Sequence, residues 1–169
     1  MDQNEAAESE SQDQDTEPTE SAPQAPARAF EVVLRGIVNV VYASEDKNFG
    51  LIDRGQDQYY YDPRLVAAEE PPVRGDTVFF AAKPPIKKGA KPVAACVLVK
   101  GKPAVGMVVN MLPSGRAGFL QVGDERGHRY NVYMSLPEEI TEVSLGERFR
   151  FIASANRQGP SALRLEKVE

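Results

Sequence analysis

The sequence predicts an all-β protein: two consecutive five-stranded barrels preceded by a disordered acidic tail. Three observations carry that prediction. Glycine and proline each occur 13 times in 169 residues, many turn formers for a helical chain. From Phe30 onward, short apolar stretches alternate with turn signals every ~8 to 15 residues, and no window holds an amphipathic helical period free of Pro and Gly. The whole pattern then runs a second time.

Residues 1–29 carry eight Asp/Glu and one Arg, a net charge of −7, and Met1 is their only large apolar residue. Such a segment cannot bury enough surface to offset its ordering entropy, so it is expected to be disordered. It serves either as a solubilising tail or as a polyanion that competes for basic faces downstream. The first unit follows, with expected strands Glu31 to Tyr42, Phe49 to Asp53, Gln58 to Asp62, Thr77 to Ala82 and Val93 to Lys100. Four landmarks then recur in order. Gly36-Ile37-Val38 returns as Gly106-Met107-Val108, and Phe49-Gly50-Leu51-Ile52 as Ala117-Gly118-Phe119-Leu120. Gly75, which leads into Val78-Phe79-Phe80, returns as Gly146 before Phe149-Arg150-Phe151, and Ala94 and Val97 return as Ala162 and Leu165. The offsets are 70, 68, 71 and 68 residues, so the domain is duplicated. The expected strands of the copy are Ala104 to Leu112, Gly118 to Val122, Tyr130 to Met134, Arg148 to Ala153 and Ala162 to Val168. The domain division is therefore 1–29, 30–100 and 104–169. The connection Lys100-Gly101-Lys102-Pro103 is short enough to hold the barrels close in a restricted orientation.

The overall charge of −5 hides an uneven spread, because residues 30–169 carry 19 Lys/Arg against 17 Asp/Glu. A single cysteine, Cys96, excludes an internal disulfide framework and any multi-cysteine metal site, and its apolar surroundings make it a core residue. One histidine, His128, expected at the surface, gives no metal set and no Ser-His-Asp triad. The acidic pairs Glu69-Glu70 and Glu138-Glu139 read as solvated turns or helix starts, and neither a phosphate-binding loop nor a dinucleotide fingerprint is present. No enzyme activity, cofactor or metal is expected. The acidic N-terminus is unlike a secretory signal and no stretch approaches ~20 apolar residues, so no membrane partner and a cytoplasmic location are expected.

Strand alternation places Lys47, Phe49 and Leu51 on one face and Asn48, Gly50 and Ile52 on the other. Phe49 then stands on the surface for stacking. Within Tyr59-Tyr60-Tyr61, the outward set is Gln58, Tyr60 and Asp62, while Tyr59 and Tyr61 are expected half-buried with their hydroxyls at the barrel rim. Lys83 to Lys91 is a loop stiffened by two prolines, with four lysines and no acid, placed to meet phosphates. Unit two offers Arg116, Arg129, Arg150, Arg157 and Arg164 instead.

These residues resemble the cold-shock domain, a five-stranded oligonucleotide/oligosaccharide-binding (OB) barrel, in tandem. The family's opening Gly-x-Val is matched at Gly36 and Gly106. Its first ribonucleoprotein motif, Lys-Gly-Phe-Gly-Phe-Ile, is matched at Lys47 to Ile52 and, more degraded, at Gly115 to Leu120. The second motif, Val-Phe-Val-His, falls on Tyr59 to Asp62 and Tyr130 to Tyr133, and the closing Gly-Pro-x-Ala-x-x-Val on Gly159 to Leu165. The family's strand-one tryptophan is replaced by Val40 and Asn110, and each unit keeps one of the motif's two outward phenylalanines, Phe49 and Phe119. The resemblance implies a non-catalytic protein that binds single-stranded RNA, favoured over DNA, as an RNA chaperone or regulator. About half of the stacking platform is gone, so binding is expected to be weak for each barrel and partly recovered by linkage. The contact residues implied are Lys47, Phe49, Tyr60, Lys87 and Lys88 in unit one, and Arg116, Phe119, Tyr133 and Arg157 in unit two. The alternative is an adaptor whose degenerate barrels dock on a protein partner in a nucleic-acid machine. A third possibility is that only one unit binds.

Overall fold

A computed structural model describes residues 32–43 and 48–169; the tail and Lys47 lie outside the described residues. Ten strands follow one another: β1 (Val33–Ala43), β2 (Asn48–Arg54), β3 (Asp57–Tyr61), β4 (Thr77–Lys83), β5 (Val93–Val99), β6 (Pro103–Met111), β7 (Ala117–Gly123), β8 (Arg129–Ser135), β9 (Arg148–Asn156) and β10 (Gly159–Val168). The only helical element among the described residues is a 3-10 turn at Pro63–Leu65. The strands close into two barrels with one topology, β1-β2-β3-β5-β4 and β6-β7-β8-β10-β9. In each, the third strand pairs parallel with the fifth and the other neighbours pair antiparallel. This is the five-stranded OB arrangement. The all-β, two-barrel architecture is as the sequence predicts.

The duplication extends to irregularities that no landmark shows. A register shift in β1 between Val38 and Val40 returns in β6 between Val108 and Asn110. Strands β5 and β10 each hold one non-glycine residue in the left-handed region, Cys96 and Arg164, both at φ 54. At each of them the pairing with the preceding strand slips by one residue. An extra residue in one strand of an antiparallel pair is a β-bulge, and left-handed backbone is one of the ways the chain absorbs it.

Inside barrel one, Ile52, Phe80, Val78, Val97, Tyr59 and Tyr61 form the core, and the Tyr59 and Phe80 rings lie 4.8 Å apart. Two sequence expectations are corrected here. Tyr59 and Tyr61 do not stand at the rim: they are 8% and 3% exposed. Room for Tyr61 comes from Gly50, its direct cross-strand partner, because a Cβ on Gly50 would collide with the Tyr61 ring. Asp62 does not belong to the outward face of β3, which ends at Tyr61. It caps the 3-10 turn, its carboxylate accepting from the Arg64 N–H at 2.8 Å.

The barrels share a core. Val78 and Phe80 point into barrel one, whereas Phe79, Ala81, Cys96 and Leu98, on the outer faces of β4 and β5, belong to the apolar cluster of barrel two. Strand β5 is therefore buried along its whole length. A strand covered on both faces reads as a continuous apolar run, and Val93-Ala94-Ala95-Cys96-Val97-Leu98-Val99 is one. The equivalent pair in barrel two keeps a solvated outer face, with Arg148 and Arg150 exposed between buried Phe149 and Phe151.

Polar contacts cross the same junction. The Tyr130 hydroxyl donates to the Phe79 carbonyl at 3.3 Å, and the Asp124 carboxylate accepts from the Cys96 N–H at 2.8 Å. Arg150 pairs with Glu69 at 2.7 Å. His128, expected to be a surface residue, is half-buried, and its Nδ1 lies 3.1 Å from the fully buried Asp124 carboxylate.

Candidate nucleic-acid interface

The outward face of β1, β2 and β3 is built by direct cross-strand pairing. Val40 pairs with Leu51 and Leu51 with Tyr60, while Tyr42 pairs with Phe49. Directly paired residues share a face, so these five side chains form one surface. Its rings are continuous: Tyr42 to Phe49 is 4.8 Å between centroids and Phe49 to Tyr60 is 5.5 Å, with interplanar angles of 36° and 32°. Tyr42 is 51% exposed, and it is the residue that sequence reasoning missed. Val40 and Tyr42 follow the register shift after Val38 and share one face, so the ring of β1 stands one row beyond Val40, opposite Phe49. A tyrosine two residues beyond Val40 and five ahead of Lys47 was the available signal.

Beside the rings, the β4–β5 loop (84–92) forms the wall of a groove of about 420 Å³. Phe49, Leu51 and Tyr60 make its floor, and Ile86, Lys87 and Lys91 line it from the loop. Of the predicted contacts in unit one, the structure therefore brings together Phe49, Tyr60 and Lys87. Lys88 belongs to the same loop but not to the groove lining, where Lys91 stands instead. At the other end of the face, Asp53 accepts hydrogen bonds from Asn39 (2.7 Å) and Gln58 (2.9 Å), so the apolar surface ends in a self-satisfied polar row.

Barrel two presents a thinner version. Phe119 pairs directly with Tyr133 across β7 and β8, the rings lying edge-on at 6.0 Å and 75°. Asn110, the β6 neighbour of Phe119, adds no ring. Arg116 is tied down: its guanidinium donates to the carbonyls of Ile140 (2.7 Å), Leu136 (3.1 Å) and Pro137 (2.7 Å), clamping the chain that follows β8. Arg157 sits in the turn between β9 and β10, exposed to solvent. That turn is only Arg157-Gln158, against the nine residues 84–92 that wall the groove in barrel one. The duplicated fold thus holds one developed groove and one pair of rings.

Among the solved structures similar to the chain are the following three. Drosophila Unr CSD456 matches with a TM-score of 0.33 and 12% identity, over 82% of this chain and 62% of that one, so less than two thirds of its length is spanned. A murine DNA-binding protein bound with double-stranded DNA matches with a TM-score of 0.29 and 9% identity, covering 82% of this chain and 99% of that chain. The p204 HINb domain gives 0.29 and 9%, with 82% and 97% covered. No protein-family model and no curated protein matches. The barrel assignment stands on the strand topology itself.

Among the described residues, no group of three or more His, Cys, Asp or Glu side chains could hold a metal ion. Burial, and then the neighbouring Asp124 carboxylate, push the Cys96 thiol far above its ordinary range. A thiol without solvent access and without thiolate character is not a nucleophile.

Proposed function

We propose that the protein is a non-catalytic single-strand nucleic-acid binder, with RNA as its preferred ligand, and that barrel one carries most of the affinity. The observation that carries this reading is the unbroken ladder Tyr42–Phe49–Tyr60, whose Phe49 and Tyr60 rings form the floor of a groove lined by Lys87 and Lys91. Aromatic rings at successive strand positions accept successive bases whatever their identity, and adjacent ammonium groups meet the phosphates between them. Phe119 and Tyr133 in barrel two supply a weaker second contact, so the tandem gains from linkage rather than from two equal sites. RNA chaperone or regulatory roles in the cytoplasm fit such low-specificity binding.

The test is fluorescence anisotropy with labelled oligouridine and oligothymidine over a salt series. Binding should weaken linearly in log salt, and Phe49→Ala should reduce affinity roughly tenfold, within the ~1 to 3 kcal/mol of one stacked base. Absence of a salt-dependent signal, with residues 1–29 removed as well as present, sinks the reading. A second reading is favoured by the same groove being mostly apolar, with Ile86 79% exposed at its edge: a peptide of a protein partner could sit there. Phe49→Ala and Tyr60→Ala separate the two, since loss of oligonucleotide binding with retention of a captured partner supports the nucleic-acid reading.

A further inference from the structure

Phe49 borders a second cavity. Of about 240 Å³, it opens at the end of barrel one. Its described lining includes Asn48, Phe49 and Tyr61, the prolines that follow β3, and two carboxylates: Glu69 of barrel one and Glu125 of barrel two. The two carboxylates differ. Glu69 is engaged by Arg150 at 2.7 Å. Glu125 is fixed by its backbone, its N–H donating to the Arg64 carbonyl at 3.1 Å, and no hydrogen bond or ion pair of its carboxylate occurs among the described residues. In the cavity wall, Tyr61 is 3% exposed and its hydroxyl has no hydrogen-bond partner among the described residues. A buried hydroxyl left unpaired is unfavourable, so a group that reaches it gains an interaction that the empty protein lacks.

We propose that this cavity is a base-specific pocket for guanine, one nucleotide beyond the stacking ladder. The inference rests on the nucleic-acid reading above and deepens it. Phe49 is the wall shared by groove and cavity, so a strand stacked along the ladder delivers its next base to the cavity mouth. The space is below the ~300 Å³ at which pockets begin to enclose whole small ligands, and suits one planar base. Its polar chemistry then selects among bases. A carboxylate is acceptor-only and accepts two parallel hydrogen bonds from adjacent donors. Guanine alone presents two such donors side by side on its Watson–Crick edge, the N1–H and the N2 amino group; adenine, cytosine and uracil each present one donor group there. The guanine O6, next to that pair, is an acceptor of the kind the unpartnered Tyr61 hydroxyl lacks. Phosphates, by contrast, are repelled by Glu125 and Glu69, which keeps the backbone on the lysine side.

The experiment compares three labelled oligonucleotides: oligouridine, the same strand with one guanine, and the same strand with one inosine, which lacks the N2 amino group. The guanine strand should bind about tenfold more tightly than the inosine strand, the size of a bidentate base contact. Glu125→Gln should bring the two to equality, while oligouridine affinity stays at or above its wild-type value because only a repulsion of phosphate is removed. If the chain binds no oligouridine either with or without residues 1–29, the nucleic-acid reading itself fails. If it binds oligouridine but treats guanine and inosine alike, that reading stands and the pocket is wrong. A guanine preference that survives Glu125→Gln and Glu125→Ala also overturns the pocket, as does a variant that loses oligouridine affinity together with the preference.

Discussion

Single residues decide whether this face can stack. Tyr42 and Phe49 are direct partners with rings 4.8 Å apart, so each holds the other's plane. Tyr42→Ala should therefore weaken oligonucleotide binding by ~1 to 3 kcal/mol, comparable to Phe49→Ala, and the two losses should not add, because the partners are in contact. A titration of the double variant against both single variants checks this. Lys87→Ala and Lys91→Ala should each lower the salt slope by about one, with Lys88→Ala lowering it less, since Lys88 does not line the groove. Beneath the face, Tyr61 is held at a pKa of about 12, chiefly by burial and secondarily by Asp76. In the unfolded chain a tyrosine ionises near ~10, so from there upward the unfolded state has lost a proton that the fold retains, and stability falls as pH rises toward 12. Tyr130, fully buried, is raised by the same cause and acts in the same direction. An alkaline titration should show the absorbance of the last tyrosinates appearing together with loss of near-ultraviolet dichroism. Tyr61→Phe should make that loss less steep; an unchanged profile would remove Tyr61 from the account.

Strands and bulges show how much was legible in the sequence, and why the remainder was not. Strand existence and the duplication were readable because turn signals and apolar runs repeat at a nearly constant offset; the strand order was not, because such signals do not say which strands pair. The outward placement of Phe49 and Tyr60 was readable because side chains alternate. The bulge after Val38, which nothing in Val38-Asn39-Val40 marks, hides the switch from buried Val38 to outward Val40; Tyr42, two residues beyond Val40, was within reach of alternation and was overlooked. Tyr59 and Tyr61 were placed too far out because tyrosine is amphipathic, and only the missing Cβ of Gly50 makes room for the Tyr61 ring. Asp124 was invisible as well: its role depends on the N–H of Cys96, 28 residues away in the other barrel. A bulge leaves a backbone donor without a ladder partner, and this carboxylate supplies the acceptor while also taking the N–H groups of Arg126 and His128. Asp124→Ala should cost about 1 to 3 kcal/mol, chiefly the penalty for leaving the N–H of buried Cys96 without an acceptor, read from the shift in urea midpoint. Cys96→Val should also destabilise, because a β-branched residue fits left-handed backbone poorly.

At the scale of the whole molecule, the junction makes the two barrels one folding unit. Phe79 and Leu98 lie on the outside of barrel one and are buried only because barrel two covers them. Burying such a side chain contributes ~1.5 to 3 kcal/mol, so exposing Phe79, Ala81, Cys96 and Leu98 together would remove much of the 5 to 15 kcal/mol typical of a domain. Residues 33–100 alone should therefore be insoluble or partly unfolded, despite containing a closed barrel. The intact chain should unfold in a single urea transition. Native-state hydrogen exchange gives the sharper measurement: amides of β5 in barrel one and of β8 in barrel two should exchange with the same free energy, the global one, because opening either barrel exposes the shared core. Tyr130→Phe, which deletes the hydrogen bond to the Phe79 carbonyl, should lower both values equally. Two separate transitions, or a β5 that opens while β8 stays protected, would mean that the barrels are joined without being coupled. In that case the Glu125 side of the pocket would not be held against barrel one by the fold.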